Sequence, residues 1–303
     1  MIKYYKKLLK DKELRELQEF ERGSWISVIE PTEEELDFLA EKFKLDRPNL
    51  VSGLDRNELP RVEFIEEEFY VILKTMPSAD KDYLFTFLIV VGEEFILTLT
   101  KYKSPVIDRI MAGHDDFTTS QKLKCLITVL SMINQDFEKA TLHIVKSVNS
   151  KRESIEELTE KDITDLMDNE SKLNNFLSAY YYVNLIYQRI VKKIKFFEED
   201  KEILKDLIIE TQQGLDLCRS SLQSISNIRH HFEILMSNKL NKVITILTLF
   251  TVIITIPAAI SGLFGMNVAL PLQNNPYTFY FVLGFIALTW AGSLLYFKKK
   301  KFL

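Results

Sequence analysis

The residues of this chain that invite a chemical interpretation are neutral polar groups inside a long uncharged stretch. Val243 to Phe297 contains 55 residues and no Asp, Glu, Lys, Arg or His. Asn267 lies between the two apolar blocks of this stretch, in the tripeptide Gly265-Met266-Asn267. A carboxamide and a threonine hydroxyl both accept hydrogen bonds without carrying a charge. Such groups can face water within an otherwise apolar segment.

A polar stripe precedes Asn267, beginning just before the first apolar block and continuing through it. At about 100° per residue, its members fall within about 80° of one another around a helix. The polar stripe consists of Asn241, Ile244, Thr248, Thr251, Thr255 and Gly262. Threonines and small residues at this spacing are typical of packing between membrane helices. The alternative is that the stripe faces water, and the sequence leaves both interpretations open.

The two apolar blocks predict two membrane spans, at about 243–263 and 277–297. Each block is long enough to cross roughly 30 Å of hydrocarbon. Lys239 and Lys242 precede the first block, and Lys298 to Lys301 follow the second. Because lysines accumulate on the cytoplasmic side of membrane proteins, we expect both termini in the cytoplasm and a short outer loop. Two helices enclose no lumen, so conduction would require several copies of the chain.

Residues 1–119 predict a cytoplasmic α/β domain. Thr32 followed by acidic residues predicts a capped helix over Glu33 to Lys44. Runs rich in β-branched and aromatic residues, separated by turn residues, predict strands. These runs are Ser24–Glu30, Arg61–Phe64, Phe69–Thr75, Tyr83–Val91 and Glu94–Lys101. The short connections between the last four predict antiparallel pairs, with helices packed on the sheet.

Residues 120–238 predict a helical stalk, because no proline occurs between Pro105 and Pro257. Apolar residues also recur there every three or four positions, which indicates a helical bundle or coiled coil. The three seams are Leu123, Leu126, Leu130, Ile133, Phe137, Ala140 and Ile144; then Leu173, Phe176, Tyr180, Val183, Tyr187, Ile190, Ile194 and Phe197; then Leu204, Ile208, Thr211, Leu215, Cys218, Leu222, Ile225, Arg229, Phe232 and Met236. The third seam predicts one continuous helix from Lys201 to Gly262. With a hairpin over residues 239–303, the predicted fold class is an α+β membrane protein.

Charge, cysteine content and motifs exclude several classes of protein. All 43 acidic residues precede Lys239, and so acidic a soluble portion argues against a nucleic-acid partner. Cys125 and Cys218 form no Cys-x-x-Cys pair, and the four histidines are scattered. No catalytic triad, P-loop or paired-carboxylate signature stands out. We therefore predict neither an enzyme nor an organic cofactor.

The segment from Pro257 to Asn267 resembles the CorA family of magnesium channels, in which a Gly-Met-Asn tripeptide closes the pore-lining helix. The location makes this match specific, since the tripeptide follows the penultimate span and precedes a short loop and a lysine-rich tail. The resemblance implies a homopentamer in the lipid bilayer of the cell membrane, with five copies of Asn267 at the outer pore mouth. Magnesium dehydrates reluctantly, and neutral carboxamide and carbonyl oxygens can accept hydrogen bonds from its hydration shell.

The resemblance also implies roles for the residues around Asn267. Gly262 and Gly265 are expected to let the backbone approach closely and turn. Met266 is expected to pack against that turn. Many relatives carry an acidic residue in the outer loop, whereas residues 268–275 carry none. Selection is therefore expected to depend on Asn267 and the threonines.

Counting residues back from Asn267 along the predicted helix assigns the pore positions of the family to residues of this chain. The implied pore-lining residues are Asn241, Ile244, Leu247, Thr248, Thr251, Thr255 and Gly262. Leu247 and Ile244 are expected to close the pore by dewetting. Thr255 stands where bulky apolar residues are common in the family, so the outer part of the pore is expected to be wetter here.

The family is thought to sense cytoplasmic Mg²⁺ through carboxylates between neighbouring protomers. The resemblance makes Asp206 a candidate ligand at the start of the long helix. Asp80 and Asp82 are candidate partners from the adjacent subunit. For each of the three taken singly, a solvated surface carboxylate is the favoured interpretation.

The sequence therefore predicts a divalent-cation channel for passive Mg²⁺ influx that internal Mg²⁺ closes. One alternative is a Co²⁺, Ni²⁺ or Zn²⁺ transporter of the same family. Met266 favours magnesium, because the related zinc transporters vary this middle residue. The spans also contain no cysteine or histidine to bind a softer metal. The other alternative is a membrane-anchored coiled-coil scaffold that conducts nothing.

Overall fold

The structure, a computed structural model, describes residues 1–11, 13–76, 84–113, 117–268 and 275–299. By its internal contacts the chain divides into two compact units, Met1–Ile228 and Arg229–Leu303. The strands are β1 (Ile2–Lys6), β2 (Arg15–Leu17), β3 (Ser24–Ile29), β4 (Arg61–Ile65), β5 (Glu68–Thr75), β6 (Phe85–Val91) and β7 (Phe95–Thr100). The helices are α1 (Glu33–Phe43), α2 (Arg47–Ser52), α3 (Pro105–Met111), α4 (Lys122–Glu153), α5 (Glu160–Lys193), α6 (Glu198–Phe264) and α7 (Thr278–Lys299).

The strands form a single mixed sheet in the first unit, in the order β2-β1-β3-β7-β6-β5-β4. β3 and β7 are parallel, with Trp25 opposite Ile96. The other neighbouring pairs are antiparallel, which confirms the antiparallel pairs expected from the short connections. The five predicted strands are all present, with ends within one or two residues of those expected. Tyr83, at the start of one prediction, lies outside the described residues.

Sequence reasoning missed β1, β2 and α2. In β1, Lys3 and Lys6 break up any strict alternation of apolar and polar residues, and β2 has only three residues, so the pairing partners decide both strands. For α2 a usable signal was present. Asp46 caps the helix by accepting a hydrogen bond from the backbone N–H of Asn49, and a proline follows within the first turn.

The core of the sheet is closed by the helix that follows β3. The Thr32 hydroxyl and the Glu35 carboxylate form the reciprocal capping box that begins α1, as the predicted threonine cap requires. Leu36 and Leu39 are fully buried against β-strand residues. On the other side of β3, Trp25 is fully buried and donates its indole N–H to the Thr98 hydroxyl at 2.9 Å.

α4 and α5 pack against the sheet and against each other, within the same compact unit. The predicted boundary at residue 119 therefore falls inside the first unit, and the predicted boundary at residue 238 falls ten residues beyond its end. The first two seams face inward, and the rings of Phe137 and Tyr180 lie 5.5 Å apart. The second seam was extended too far: α5 ends at Lys193, and Phe197 is 81% exposed.

α6 confirms the continuous helix predicted from Lys201 to Gly262 and has 67 residues. Within the first unit, Thr211 lies buried in its seam and accepts a hydrogen bond from the Asn184 side chain at 2.8 Å. Gly214 packs under Tyr180, since a Cβ atom at this position would lie 2.4 Å from the tyrosine ring. A helix-weakening glycine is therefore retained here because no larger residue fits.

Candidate functional site

The second compact unit contains the tripeptide and the polar stripe. Among the described residues, α6 is the helix with the length and apolar composition to cross a membrane. α7 carries a shorter apolar stretch over Thr278–Ser293. The predicted spans at about 243–263 and 277–297 lie within or nearly within these two helices.

One face of α6 packs against α7 in the same chain. Leu249 is only 5% exposed, and the Trp290 indole N–H donates to the carbonyl oxygen of Ile253 at 2.7 Å. The packing face of α6 consists of Thr245, Leu249, Val252, Ile253, Ile256 and Ile260, all buried or half-buried. Their spacing places them on one side of the helix.

The polar stripe takes no part in this packing. Every member of the stripe is exposed in the single chain. At about 100° per residue, the centre of the stripe lies roughly 100° around α6 from the centre of the packing face. The threonines therefore do not serve to dock α7 of the same chain. In the single chain they are left for lipid, for water or for another copy of the chain.

The stripe threonines use their hydroxyl hydrogens within the helix. Thr248 donates to the Ile244 carbonyl and Thr251 to the Leu247 carbonyl, each at 2.9 Å. A hydroxyl that donates to its own backbone keeps its lone pairs for other partners. The stripe thus presents neutral hydrogen-bond acceptors, which suit water molecules and hydrated cations.

The tripeptide lies at the end of α6, immediately after Phe264. Gly265 donates its backbone N–H to the Ser261 carbonyl at 2.9 Å, and Asn267 is exposed. A Cβ atom at residue 265 would lie 3.3 Å from the Ser261 oxygen, so glycine suits this tight helix end. The side chain of Met266, which the resemblance placed against this turn, is 51% exposed in the single chain.

The glycines at this helix end do not adopt the left-handed backbone conformation. Among the described residues, the glycines with positive φ are Gly23 and Gly113. Gly265 therefore ends α6 without the left-handed conformation that would make it a turn glycine. Gly262 has no neighbouring atom within 4 Å of a hypothetical Cβ, so nothing inside the chain requires a glycine there.

The two residues of the expected apolar gate occupy different positions around α6. Ile244 lies within the stripe and is 51% exposed, whereas Leu247 is 64% exposed. Leu247 lies about 80° from the centre of the stripe at 100° per residue. Ile244 is thus the apolar side chain aligned with the threonines.

Comparison with known proteins decides the family. The family model described as CorA-like Mg²⁺ transporter protein matches residues 20–299. The chain belongs to this family. The CorA-like family is a family of membrane-embedded transporters rather than enzymes, and Mg²⁺ is its cargo.

This CorA-like chain is 28% identical over 280 residues to the cobalt/magnesium transport protein CorA of Methanocaldococcus jannaschii, covering 86% of this chain and 84% of the relative. The complete structure of the CorA magnesium transporter from that organism matches with a TM-score of 0.85 at 22% identity, covering 100% of this chain and 99% of the other. The full-length CmaX protein matches with a TM-score of 0.74 at 14% identity over 98% and 96% of the two chains. These likenesses confirm the predicted fold class.

The regulatory candidates of this CorA-like chain do not assemble into a site within the described residues. Asp206 is exposed on α6 in the first unit. Asp80 and Asp82 lie outside the described residues. The part of the chain that the structure describes contains no group of three or more His, Cys, Asp or Glu placed to hold a metal. A regulatory site with ligands from two protomers therefore stays a prediction.

Sequence reasoning overlooked one interaction at this site. Trp290 lies in the predicted second span, and its indole N–H donates to a backbone carbonyl of α6. The signal that could have revealed it is Pro257, which removes a backbone donor from the middle of a helix.

Proposed function

We propose that this chain forms a homopentameric channel for passive Mg²⁺ influx, with both termini in the cytoplasm. The observation that carries the proposal is the neutral polar stripe, which is exposed in the single chain and leads along α6 to Asn267. Five stripes facing a common axis would form a polar, uncharged pore. A divalent cation gains about 4.6 kcal/mol per 100 mV of membrane potential, twice the single-charge value, so no energy source besides the potential is needed.

In this proposal five copies of Asn267 form the selectivity filter with Gly265 and Met266. Carboxamide oxygens accept hydrogen bonds from the waters that Mg²⁺ retains, so the ion need not be stripped. The exposure of Asn267 at the end of α6 supports this role. Inside the filter, the threonine acceptors continue the contact with the hydrated ion. Because none of these groups is charged, the ion is released as readily as it enters.

Closure in this proposal depends on an apolar ring and on a cytoplasmic sensor. Ile244, flanked by Leu247, narrows the pore enough to exclude water. Asp206 of one protomer, with Asp80 or Asp82 of the next, binds Mg²⁺ from the cytoplasm. Such binding favours the closed assembly, so the influx ends when internal Mg²⁺ has risen.

The similarity to the cobalt/magnesium transport protein of Methanocaldococcus jannaschii supports Co²⁺ as a second cargo beside Mg²⁺. A filter that contacts the hydration shell distinguishes ions by the size of that shell and by how tightly the ion holds its waters. Zn²⁺ and Ni²⁺ are less favoured cargo, because the spans offer no thiolate or imidazole to a softer ion.

Ion uptake into proteoliposomes tests the proposal directly. We expect the purified protein to carry Mg²⁺ inward when the interior is negative, with Co²⁺ carried as well and Zn²⁺ much more slowly. Preloading the vesicles with Mg²⁺ should reduce uptake. If no ion moves, the chain is a membrane-anchored scaffold, and if preloading has no effect, the feedback proposal is wrong.

Cysteine labelling tests which exposed face of α6 meets water. Thr248 and Phe250 are both exposed in the single chain, but they lie about 160° apart around the helix. We expect Thr248→Cys to react several times faster than Phe250→Cys with a charged methanethiosulfonate in the assembled protein. Equal rates would contradict a pore lined by the stripe.

The native thiols do not interfere with this measurement. Cys125 and Cys218 are both buried. Burial raises the pKa of both thiols, that of Cys218 to about 11. Because the thiolate is the reactive form, the unmodified protein serves as an unlabelled control.

A further inference from the structure

Pro257 leaves a backbone carbonyl of α6 without its helical partner. In an α-helix the N–H of each residue donates to the carbonyl four residues earlier. Proline has no N–H, so residue 257 cannot donate to the carbonyl of Ile253. Pro257 nevertheless lies inside α6, which continues to Phe264. The chain therefore needs another donor for Ile253 within the apolar part of the helix.

Trp290 of α7 supplies that donor. Its indole N–H lies 2.7 Å from the Ile253 carbonyl oxygen, across 37 residues of sequence. The indole nitrogen is a donor only, and the orphaned carbonyl is an acceptor only. In hydrocarbon each of them alone would be an unsatisfied polar group, which is strongly unfavourable. The two groups thus satisfy each other at the one position where proline created the need.

The bond lies within the packing face of α6. Ile253 is flanked there by Leu249 and Ile256 on adjacent turns. On the α7 side, Ile286 and Thr289 are half-buried close to Trp290 in sequence. The position of Ile253 is about 160° around α6 from the centre of the polar stripe. A hydrogen bond at this place holds the helix from the side opposite the stripe.

We infer that Trp290 is a positioning residue. It replaces the hydrogen bond removed by Pro257 and so fixes the axial position and the rotation of α6 relative to α7. Apolar packing alone tolerates sliding and rotation, whereas one directional bond to one freed carbonyl does not. The consequence for transport rests on the proposed function, since a fixed rotation keeps the polar stripe and Asn267 turned toward the pore axis.

A double-mutant cycle tests this inference. Trp290→Phe keeps an aromatic ring and removes the N–H, whereas Pro257→Ala restores a backbone donor to Ile253. In the native background, we expect Trp290→Phe to lower the melting temperature of the purified protein by roughly 2–4 °C and Mg²⁺ uptake by threefold or more. In the Pro257→Ala background, we expect the same substitution to cause less than half of each loss.

The cycle has a matched control and a clear contrary outcome. Tyr280→Phe also removes one polar hydrogen from an aromatic residue of α7, at a side chain that is 69% exposed. It should have the same small effect in both backgrounds. If Trp290→Phe causes equal losses with and without Pro257, or no loss in the native background, the tryptophan does not act through the freed carbonyl.

Hydrogen exchange of the two tryptophan indole N–H groups keeps the inference testable even if Trp290→Phe fails to fold. The chain contains two tryptophans, and Trp25 serves as an internal reference because it is fully buried and bonded to Thr98. In ¹⁵N-indole spectra, we expect the Trp290 signal to shift and its N–H to exchange faster in Pro257→Ala than in the native protein. The Trp25 signal should not change. Identical spectra and exchange rates for the two proteins would overturn the inference.

Neither melting temperature nor indole exchange requires ion flow. Coupling between Trp290 and Pro257 in a protein that carries no ion would therefore refute the proposed channel and leave the positioning role standing. Normal Mg²⁺ uptake without that coupling would refute the positioning role of Trp290 and support the proposed channel.

Discussion

Replacing Asn267 with alanine is expected to reduce Mg²⁺ uptake into proteoliposomes by roughly a hundredfold or more. A neutral hydrogen bond contributes about 1 kcal/mol, and the proposed filter loses one carboxamide from each of five protomers. About 1.4 kcal/mol corresponds to a tenfold change, so even partial loss of the ring is sufficient for this effect. Asn267 is exposed and follows the end of α6, so the substitution should leave the folded chain intact. The measurement is initial uptake at a fixed membrane potential.

The matched control for this prediction is Asn274→Ala, an asparagine in the same loop sequence. It should keep nearly native uptake, which separates the filter position from loop asparagines in general. Unchanged melting temperatures would show that both variants fold. Native uptake by Asn267→Ala would remove the selectivity filter from the proposal and would favour a different ion path or a scaffold.

The fold was predictable wherever a local pattern decides the structure. The Thr32 cap, the alternating residues of Ser24 to Ile29 and the proline-free seam of α6 each specify an element without help from the rest of the chain. β1 and β2 were not predictable in this way, because Ile2–Lys6 and Arg15–Leu17 become strands by pairing with β3 and with each other. Long-range pairing leaves no periodicity in so short a segment.

The seam in α5 shows the limit of periodicity as evidence. Apolar residues continue at helical spacing through Phe197, but the helix ends at Lys193 and the phenylalanine is exposed. A repeat identifies which face is buried and does not say where the burial stops. The point at which burial ends is set by the helix cap and by the neighbouring element, which here is the start of α6.

For the candidate site, the sequence provides a set of residues but not their arrangement. Residue types and spacing identified the stripe and the tripeptide, and the structure adds that the stripe avoids the packing face of α6. The bond from Trp290 to Ile253 joins two helices that sequence spacing treats separately. The proposed regulatory site would take its ligands from two protomers, so the sequence of one chain cannot bring them together.

Replacing Ile244 with serine is expected to raise Mg²⁺ uptake into Mg²⁺-preloaded vesicles by about tenfold, because a polar ring no longer expels water from the closed pore. Ile244 is the apolar member of the stripe and is 51% exposed in the single chain. The same substitution should weaken inhibition by internal Mg²⁺, since a hydrated gate no longer depends on the sensor to stay shut. Uptake is compared with and without preloading.

Ile246→Ser provides the matched control for the gate. Ile246 is 42% exposed on the same turn of α6 and lies on the side away from the stripe. A serine there meets lipid or protein rather than the pore, so we expect native sensitivity to internal Mg²⁺. If both serine variants respond alike, the effect comes from a polar group anywhere on α6, and Ile244 is not the gate. If only Ile244→Ser loses the inhibition, the face of α6 that lines the pore is the one that carries Asn241, the threonines and Gly262.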